Sequence, residues 1–386
     1  MNLLTAGSFR WPHPPTENER DWNVLQQLRR DWSRIDVLVK TDAPESQHFE
    51  RDGIAVHYLP SRLSGPAGTL GFVVSATQAA IEIHRRAHVA LFSASDPIAG
   101  IAGCELKRRA GVPCLMHLQG ELLAPPSAYG SRVRRWALQS LTYWVGRRVN
   151  VVRALYPQQV EQLVAAGVPR DRIELVRNRC DTDLCAPERW HSQRDAMRRS
   201  LGVDDRWVML FVGSLLPIKG VDVALRALPL VLRQRPDATL VIVGDGPERR
   251  RLAKLTAQLG IDRHVRFWGR VPHGQVPALL AAADVCLFPS RSEASPRVVL
   301  EAAAMARPIV ASAVGGVPDI VVDHESGLLV PMDDPCRLAQ AIMELAQHEP
   351  LGVRLGQAAR ATILTKFEYQ KNLDELRRLY RRVAHA

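Results

Sequence analysis

The sequence predicts an α/β protein built on parallel sheets in two domains. Short β-branched runs alternate with longer helical patterns from end to end, the signature of strands joined by crossover helices. A length of 386 residues exceeds one ordinary core and suits two domains of roughly 150–200 residues each. A hydrophobic content of 46% beside 24% charged residues is globular, which excludes disordered and fibrous classes.

The elements follow in order. In the first half strands are expected at Asn2–Ala6, Ile35–Val39, Ile54–Tyr58, Val89–Phe92, Cys114–His117, Val149–Val152 and Ile173–Val176. Helical periodicity fills Glu19–Arg30, Leu70–His84, Ile98–Arg109, Arg132–Arg147 and Pro157–Ala166. In the second half strands read at Trp207–Val212, Thr239–Val243, Val265–Trp268, Val285–Phe288 and Ile309–Ala311. Cys185–Gly202 has Pro187, mixed charge and no strand signal, and is expected to be the linker. The domains are then 1–185 and 186–365, with a tail, 366–386, whose helical spacing (Leu373, Leu376, Leu379, Tyr380, Val383) predicts a helix. That helix either closes the second domain or packs back toward the first, and the second placement is the one expected.

Several classes are excluded. The uncharged run from Leu63 to Ile81 is broken by Gly65, Pro66, Gly68 and Gly71, too polar and interrupted for a membrane span. The start MNLLTAGSFRW lacks the basic-then-apolar order of a signal peptide, so a cytoplasmic location is expected. Cysteines at 104, 114, 180, 185, 286 and 336 form no C-x-x-C pair, which predicts free thiols, no disulfide and no structural metal. No G-x-S-x-G nucleophile elbow is present.

The net charge is +11, so an acidic partner is considered. Within 105–153 nine Lys/Arg face only Glu105 and Glu121. There Arg132, Arg134, Arg135, Arg147 and Arg148 bracket Trp136, Leu138, Leu141, Tyr143 and Trp144. One reading is an amphipathic helix meeting an anionic membrane on its cytoplasmic leaflet; the blander one, favoured for any single helix, is a solvated helix with an apolar core face. Nucleic acid ranks last, since no binding module is legible.

The densest signal is residues 290–331, SRSEASPRVVLEAAAMARPIVASAVGGVPDIVVDHESGLLVP. A strand ending at Phe288 feeds a loop and a helix opening near Pro296, whose unpaired N–H groups and positive dipole end suit an anion. Glu293 lies in the loop and Glu301 inside the helix. Carboxylates flanking an anion site suit a phosphorylated ligand bearing hydroxyls, such as a nucleotide sugar. Glycosidases also use two carboxylates, but donor binding accounts better for a pair on one helix entrance.

Glu293 and Glu301, eight residues apart, resemble the E-x(7)-E motif of family 4 glycosyltransferases, retaining enzymes of the GT-B fold. FVGSLLPIKGVDVAL (211–225), LVIVGDGPERRRLAKLTAQLGIDRHVRFWGRV (240–271), LLAAADVCLFPSRSE (279–293) and AVGGVPDIVVDHESGLLVPMDDP (313–335) resemble successive blocks of that family, in its order. So does LVRNRCDTDLCAPE (175–188) near the domain junction. The resemblance implies two Rossmann-like domains facing across a cleft, the N-terminal one for acceptor and the C-terminal one for a nucleoside-diphosphate sugar, UDP being the favoured nucleotide. It implies that Glu301 binds the donor ribose, Glu293 lies beside the donor sugar, and Lys219 neutralises the diphosphate with the Val298 and Val299 amides. Gly213 would admit the donor to the backbone, and the Arg270 region would meet the base. No metal or other cofactor is then required.

Two departures stand out. The family often has Arg where this chain has Ser214, so Arg291 or, preferably, Arg297 is expected to substitute. The family's glycine-rich loop is replaced by SFRWPHPPTENER (8–20), and its His–Gly–x–Asp-like turn by Gln119–Gly120–Glu121. His117 precedes that turn by two residues; it shares a strand face with Gln119 and is either catalytic or simply packed. Asp181-Thr-Asp183 reads as a turn rather than a metal signature, Gly244-Asp-Gly246-Pro247 as a βα turn with Asp245 and Gly246 opening a helix. Gly315–Gly316 either meets the ligand or permits a turn. The expected function is retaining transfer of a sugar to an acceptor hydroxyl of a glycan, lipid-linked or small-molecule acceptor. The alternatives are a catalytically weak scaffold of the same fold, or a nucleotide-sugar epimerase or phosphorylase.

Overall fold

The computed structural model describes residues 1–11, 20–61, 65–120 and 132–385. Pro12, Pro14 and Pro15 of the expected N-terminal loop, and Glu121 of the expected turn, lie outside the described residues. The chain divides into two compact units, one comprising Met1–Gly120, Val133–Val176 and Leu373–Ala386, the other Arg177–Asn372.

In the first unit eight strands form one sheet: β1 (Asn2–Arg10), β2 (Arg34–Thr41), β3 (Gln47–Arg51), β4 (Ile54–Pro60), β5 (Val89–Ala94), β6 (Cys114–His117), β7 (Val151–Ala154) and β8 (Ile173–Leu175). Their order is β3-β4-β2-β1-β5-β6-β7-β8. All neighbours pair in parallel except β3, which runs antiparallel to β4 at the edge. β3 is not among the expected strands, because QHFER is polar and mostly exposed and shows no apolar alternation. β7 begins two positions beyond the expected Val149 because Arg148 and Val149 still bond back to Val145 at the helix end. The helix Pro97–Ala110 shows how sequence sets an end. Asp96 accepts the Ala99 N–H at 2.9 Å and Pro97 opens the first turn, while Gly111 closes it at φ 69°. The other Asp96 oxygen accepts the Ser8 N–H at 2.6 Å, tying this helix start to β1.

In the second unit six strands, β9 (Trp207–Val212), β10 (Ala238–Val243), β11 (Val265–Gly269), β12 (Val285–Phe288), β13 (Ile309–Ser312) and β14 (Leu328–Val330), pair in parallel in the order β11-β10-β9-β12-β13-β14. Alternate residues serve opposite faces. Val208, Leu210, Cys286 and Phe288 join one core layer, and Met209, Phe211, Val285 and Leu287 the other, as a doubly covered parallel sheet requires. β14, only three residues long, carries too little pattern to be expected from sequence.

The division falls at Val176/Arg177 rather than at the expected junction after 185. The stretch expected as linker forms two short helices, Pro187–Trp190 and Arg194–Leu201, within the second unit. Arg194 and Arg198 both bond Asp284, at 2.6 and 3.2 Å, and Trp190 Nε1 donates to the Leu184 carbonyl at 2.6 Å. The last helix, Tyr369–Ala384, passes from the second unit to the first. Asn372 donates to the carbonyls of Asn178 (2.8 Å) and Lys366 (2.9 Å). Beyond it Leu373, Leu376, Leu379, Tyr380 and Val383 are buried, the stripe the spacing predicts, and Arg377 Nη2 bonds Asp31 at 2.8 Å. The Tyr380 hydroxyl is shared between Ser93 Oγ and His117 Nε2, both at 2.8 Å. Tyr380→Phe is therefore expected to cost about 1–2 kcal/mol of stability by leaving that buried pair short of a partner, read as a lowered urea midpoint at unchanged slope.

Candidate active site

The strand order of the second unit reverses between β9 and β12, and in open parallel sheets ligands bind beyond the carboxyl ends of the strands at such a switch point. Two loops leave there: 213–220 after β9 and 289–296 after β12. They are sewn together by backbone. Gly220 sits at φ 63°, and a Cβ on it would lie 1.9 Å from the Pro289 carbonyl oxygen. The Arg291 N–H donates to the Ile218 carbonyl at 2.7 Å, and Arg291 Nη1 to the Pro217 carbonyl at 2.5 Å. The end of β10 joins the same cluster. Gly244, at φ 133°, leaves room for the Gly213 carbonyl, which would be 1.9 Å from any Cβ there, and its N–H donates to Gly269 at 2.8 Å. Gly244-Asp-Gly246-Pro247 is thus a turn, though the helix it leads to begins only at Arg249.

This stitching brings Lys219 to Glu293, with Nζ donating to Oε1 at 2.6 Å. The buried Ser290 hydroxyl donates to the same oxygen at 2.8 Å. The Glu293 backbone is held as well, since its carbonyl accepts the Gly316 N–H at 3.1 Å; Gly315, at φ 50°, makes the turn that delivers it. Glu301, only 3% exposed, lies within the helix Arg297–Ala304. His273 Nε2 is 3.7 Å from its Oε1. His273 opens a single turn after β11 and is not among the residues singled out from sequence, since it falls between the family-like blocks 240–271 and 279–293. At the helix start Pro296 is the residue before the first turn, and the Val299 N–H already donates to its carbonyl at 3.1 Å. A ligand at this end would meet the Val298 amide more directly than that of Val299. Arg297, Ser214 and Arg270 are exposed, Arg270 directly after Gly269.

His117 lies in the first unit, 5% exposed, with Nε2 shared between Ser93 (3.0 Å) and Tyr380 (2.8 Å) and Nδ1 facing Arg153 Nη1 at 3.3 Å. Both ring nitrogens are engaged by buried groups. Arg291 is unsuited to replace an arginine at 214. Its guanidinium bonds both Asp222 oxygens, at 3.0 and 2.9 Å, and Asp333 at 2.6 Å. Asp181 accepts the Leu184 N–H at 2.8 Å, the turn expected of it.

Comparison with known proteins follows the same lines. The family described as "Glycosyl transferases group 1" matches residues 193–362, and that described as "Glycosyl transferase 4-like domain" matches 22–179. The GDP-mannose-dependent alpha-(1-6)-phosphatidylinositol monomannoside mannosyltransferase of Mycolicibacterium smegmatis is 31% identical over 291 residues, 72% of each chain. The D-inositol 3-phosphate glycosyltransferase of Thermomonospora curvata is 32% identical over 366 residues, 87% of this chain and 83% of that one. The alpha-D-kanosaminyltransferase of Streptomyces kanamyceticus is 31% identical, over half of each chain (50%). Among solved structures, sucrose-phosphate synthase from Thermosynechococcus elongatus superposes with a TM-score of 0.82 at 20% identity, over 99% of both chains. Anabaena HepE in complex with UDP gives 0.74 at 22% identity, over 97% and 98%. At these identities the structural likeness is one of fold.

The support beneath Lys219 is electrostatic and titrates. Burial alone would raise the Asp222 carboxyl, but the hydrogen bonds and charge of Arg291 outweigh it and hold the group below its ordinary value of 3.8. A lowered folded-state value contributes stability that is complete above the ordinary one and is lost as pH falls through the lowered one. Stability is therefore expected to fall on acidification below about pH 4, with this pair contributing. Asp222→Asn should flatten that part of the acid limb and cost about 1–3 kcal/mol near neutrality, measured by denaturant unfolding across pH.

Proposed function

This chain belongs to the family 4 glycosyltransferases, and on that premise we propose that it moves a sugar from a nucleoside-diphosphate donor to an acceptor hydroxyl, with retention of anomeric configuration. The observation that carries the reading is the Lys219–Glu293 pair set at a strand-order reversal, beside a helix that presents Glu301. In this proposal Lys219 and the Val298 amide take the diphosphate, and Glu301 accepts from the ribose hydroxyls. Glu293 lies beside the donor sugar, and Gly213 and the Arg270 backbone meet the nucleotide. Arg297, exposed at the first helical position, stands in for the arginine absent at Ser214.

The chemistry asks little more of the protein. As the bond from the anomeric carbon to the diphosphate oxygen breaks, negative charge grows on that oxygen, and a preorganised cation and amide dipole stabilise it. The acceptor hydroxyl attacks from the same face, and its proton passes to the leaving phosphate oxygen, so no protein base is assigned and no metal is invoked. UDP is the favoured nucleotide; GDP is the competing one, because relatives such as the M. smegmatis enzyme are named as GDP-mannose-dependent.

The acceptor is proposed to be a glycan, a lipid-linked sugar or a small polyol, with the protein in the cytoplasm and in peripheral contact with an anionic membrane. The support for membrane contact is in the helix Arg132–Gly146. Val133, Trp136 and Trp144 on it are 75%, 69% and 40% exposed, and Arg148 stacks over Trp144 at 4.2 Å. These are the aromatic and cationic side chains that interfacial helices present to lipid. Among the described residues no helix is long and apolar enough to cross a membrane.

A thermal-shift panel of UDP, GDP, dTDP, ADP and their sugar conjugates tests the donor half. One nucleotide should raise the melting temperature by mass action, and Lys219→Ala and Glu301→Ala should each abolish the shift. Glu293→Ala should lower turnover by about 100-fold or more. No shift with any nucleotide would favour a scaffold of the same fold instead.

A further inference from the structure

Glu293 Oε1 receives two donors at once, Lys219 Nζ and Ser290 Oγ. We propose that Glu293 is the counter-ion of Lys219, that the donor diphosphate binds by taking the lysine from it, and that Oε1 becomes an acceptor for a donor-sugar hydroxyl only then. The proposal rests on the reading of Lys219 as the diphosphate cation.

The geometry makes the exchange one-sided. The Lys219 and Glu293 side chains are 24% and 11% exposed, so their attraction is screened less than that of a surface pair. A diphosphate entering beside Lys219 brings negative charge next to the Glu293 carboxylate, and both anions draw on one ammonium. The lysine, on a flexible four-carbon stem, is the partner able to move. The carboxylate is not: Ser290, 2% exposed, donates to Oε1 at 2.8 Å, and the Gly316 N–H holds the Glu293 backbone at 3.1 Å. Ser290 is thereby a positioning residue, keeping Oε1 aimed after Lys219 has turned to the diphosphate. Sugar recognition is in this way made conditional on diphosphate binding, so a free monosaccharide meets a carboxylate already occupied by an ammonium.

Calorimetric titration of UDP and GDP into the wild type and Glu293→Gln, with turnover of nucleotide sugar by the same preparations, tests the exchange. Removing the competing charge should tighten the nucleoside diphosphate by about tenfold while turnover falls, an opposition of sign that loss of an ordinary binding contact does not produce. Glu293→Ala carries the same signs if the amide variant does not fold. A folded variant that binds the nucleotide no tighter than a nucleotide-binding wild type overturns the exchange alone. A wild type that binds neither nucleotide overturns the donor site beneath it. For Ser290→Ala, kcat should fall about tenfold with the donor KM within about threefold; a raised KM at unchanged kcat overturns the positioning role.

Discussion

The site depends on a contact without clearance between two loops. Pro289 brings its carbonyl to a point that a side chain on residue 220 would occupy, so the β9 and β12 loops can touch only because Gly220 has none. Once they touch, Arg291 closes the seam through the carbonyls of Ile218 and Pro217. Lys219 and Glu293, 74 positions apart in sequence, are then within bonding distance. Gly244 repeats the device one strand over, admitting the Gly213 carbonyl. Backbone is what can approach this closely, and backbone N–H groups and carbonyls at strand ends are what a nucleotide can use without a dedicated side chain.

The two cations of this region have been given opposite duties by their surroundings. Arg291 is bound by two carboxylates and a carbonyl, and its planar fork suits that fixed, many-pointed role. Lys219 meets one carboxylate oxygen through a point charge on a flexible stem. Desolvated cations need partners, but a cation held from several sides cannot be surrendered to a ligand. The cation pinned by two aspartates therefore builds the loop, and the one sharing a single carboxylate oxygen with a serine is the one proposed to bind the diphosphate.

Much of this was legible because parallel sheets buried on both faces write themselves as β-branched runs, and because β9, β10, β12 and β13 lie in the middle of theirs. What escaped notice was short, polar or at an edge. β3 is exposed QHFER, β14 has three residues, and the helices Pro187–Trp190 and Arg194–Leu201 are too short and polar to show periodicity. The division between units was misplaced for the same reason, since Arg194 and Arg198 are anchored by Asp284, some ninety positions away, which no local pattern announces. Glu293 and Glu301 stand out in the sequence by their place at one helix entrance, and Lys219 through the family resemblance alone. The packing of His117 was not legible, because its partner Tyr380 stands 263 positions later. Ser290 could have been found, as a small hydroxyl residue three positions before a candidate carboxylate.

The contrast between the two halves has a physical basis. A nucleoside diphosphate presents the same phosphates and ribose whatever sugar it carries, so in the proposed reading a fixed set of backbone turns, one lysine and two carboxylates serves the donor. An acceptor imposes no such common chemistry. In the first unit Val133, Trp136 and Trp144 are exposed where an ordinary helix would bury its apolar stripe. On that helix the core face is supplied instead by smaller residues such as Thr142 and Val145. The two tryptophans of this helix, Trp136 and Trp144, thus stand outside the core. Arg148, stacked over Trp144, belongs with these exposed rings, whereas Arg153 is buried and donates to the Val176 carbonyl and Arg108 and Arg109 pair with Glu105. The charge excess between 105 and 153 therefore divides among an exposed helix face, a buried strand and a paired helix.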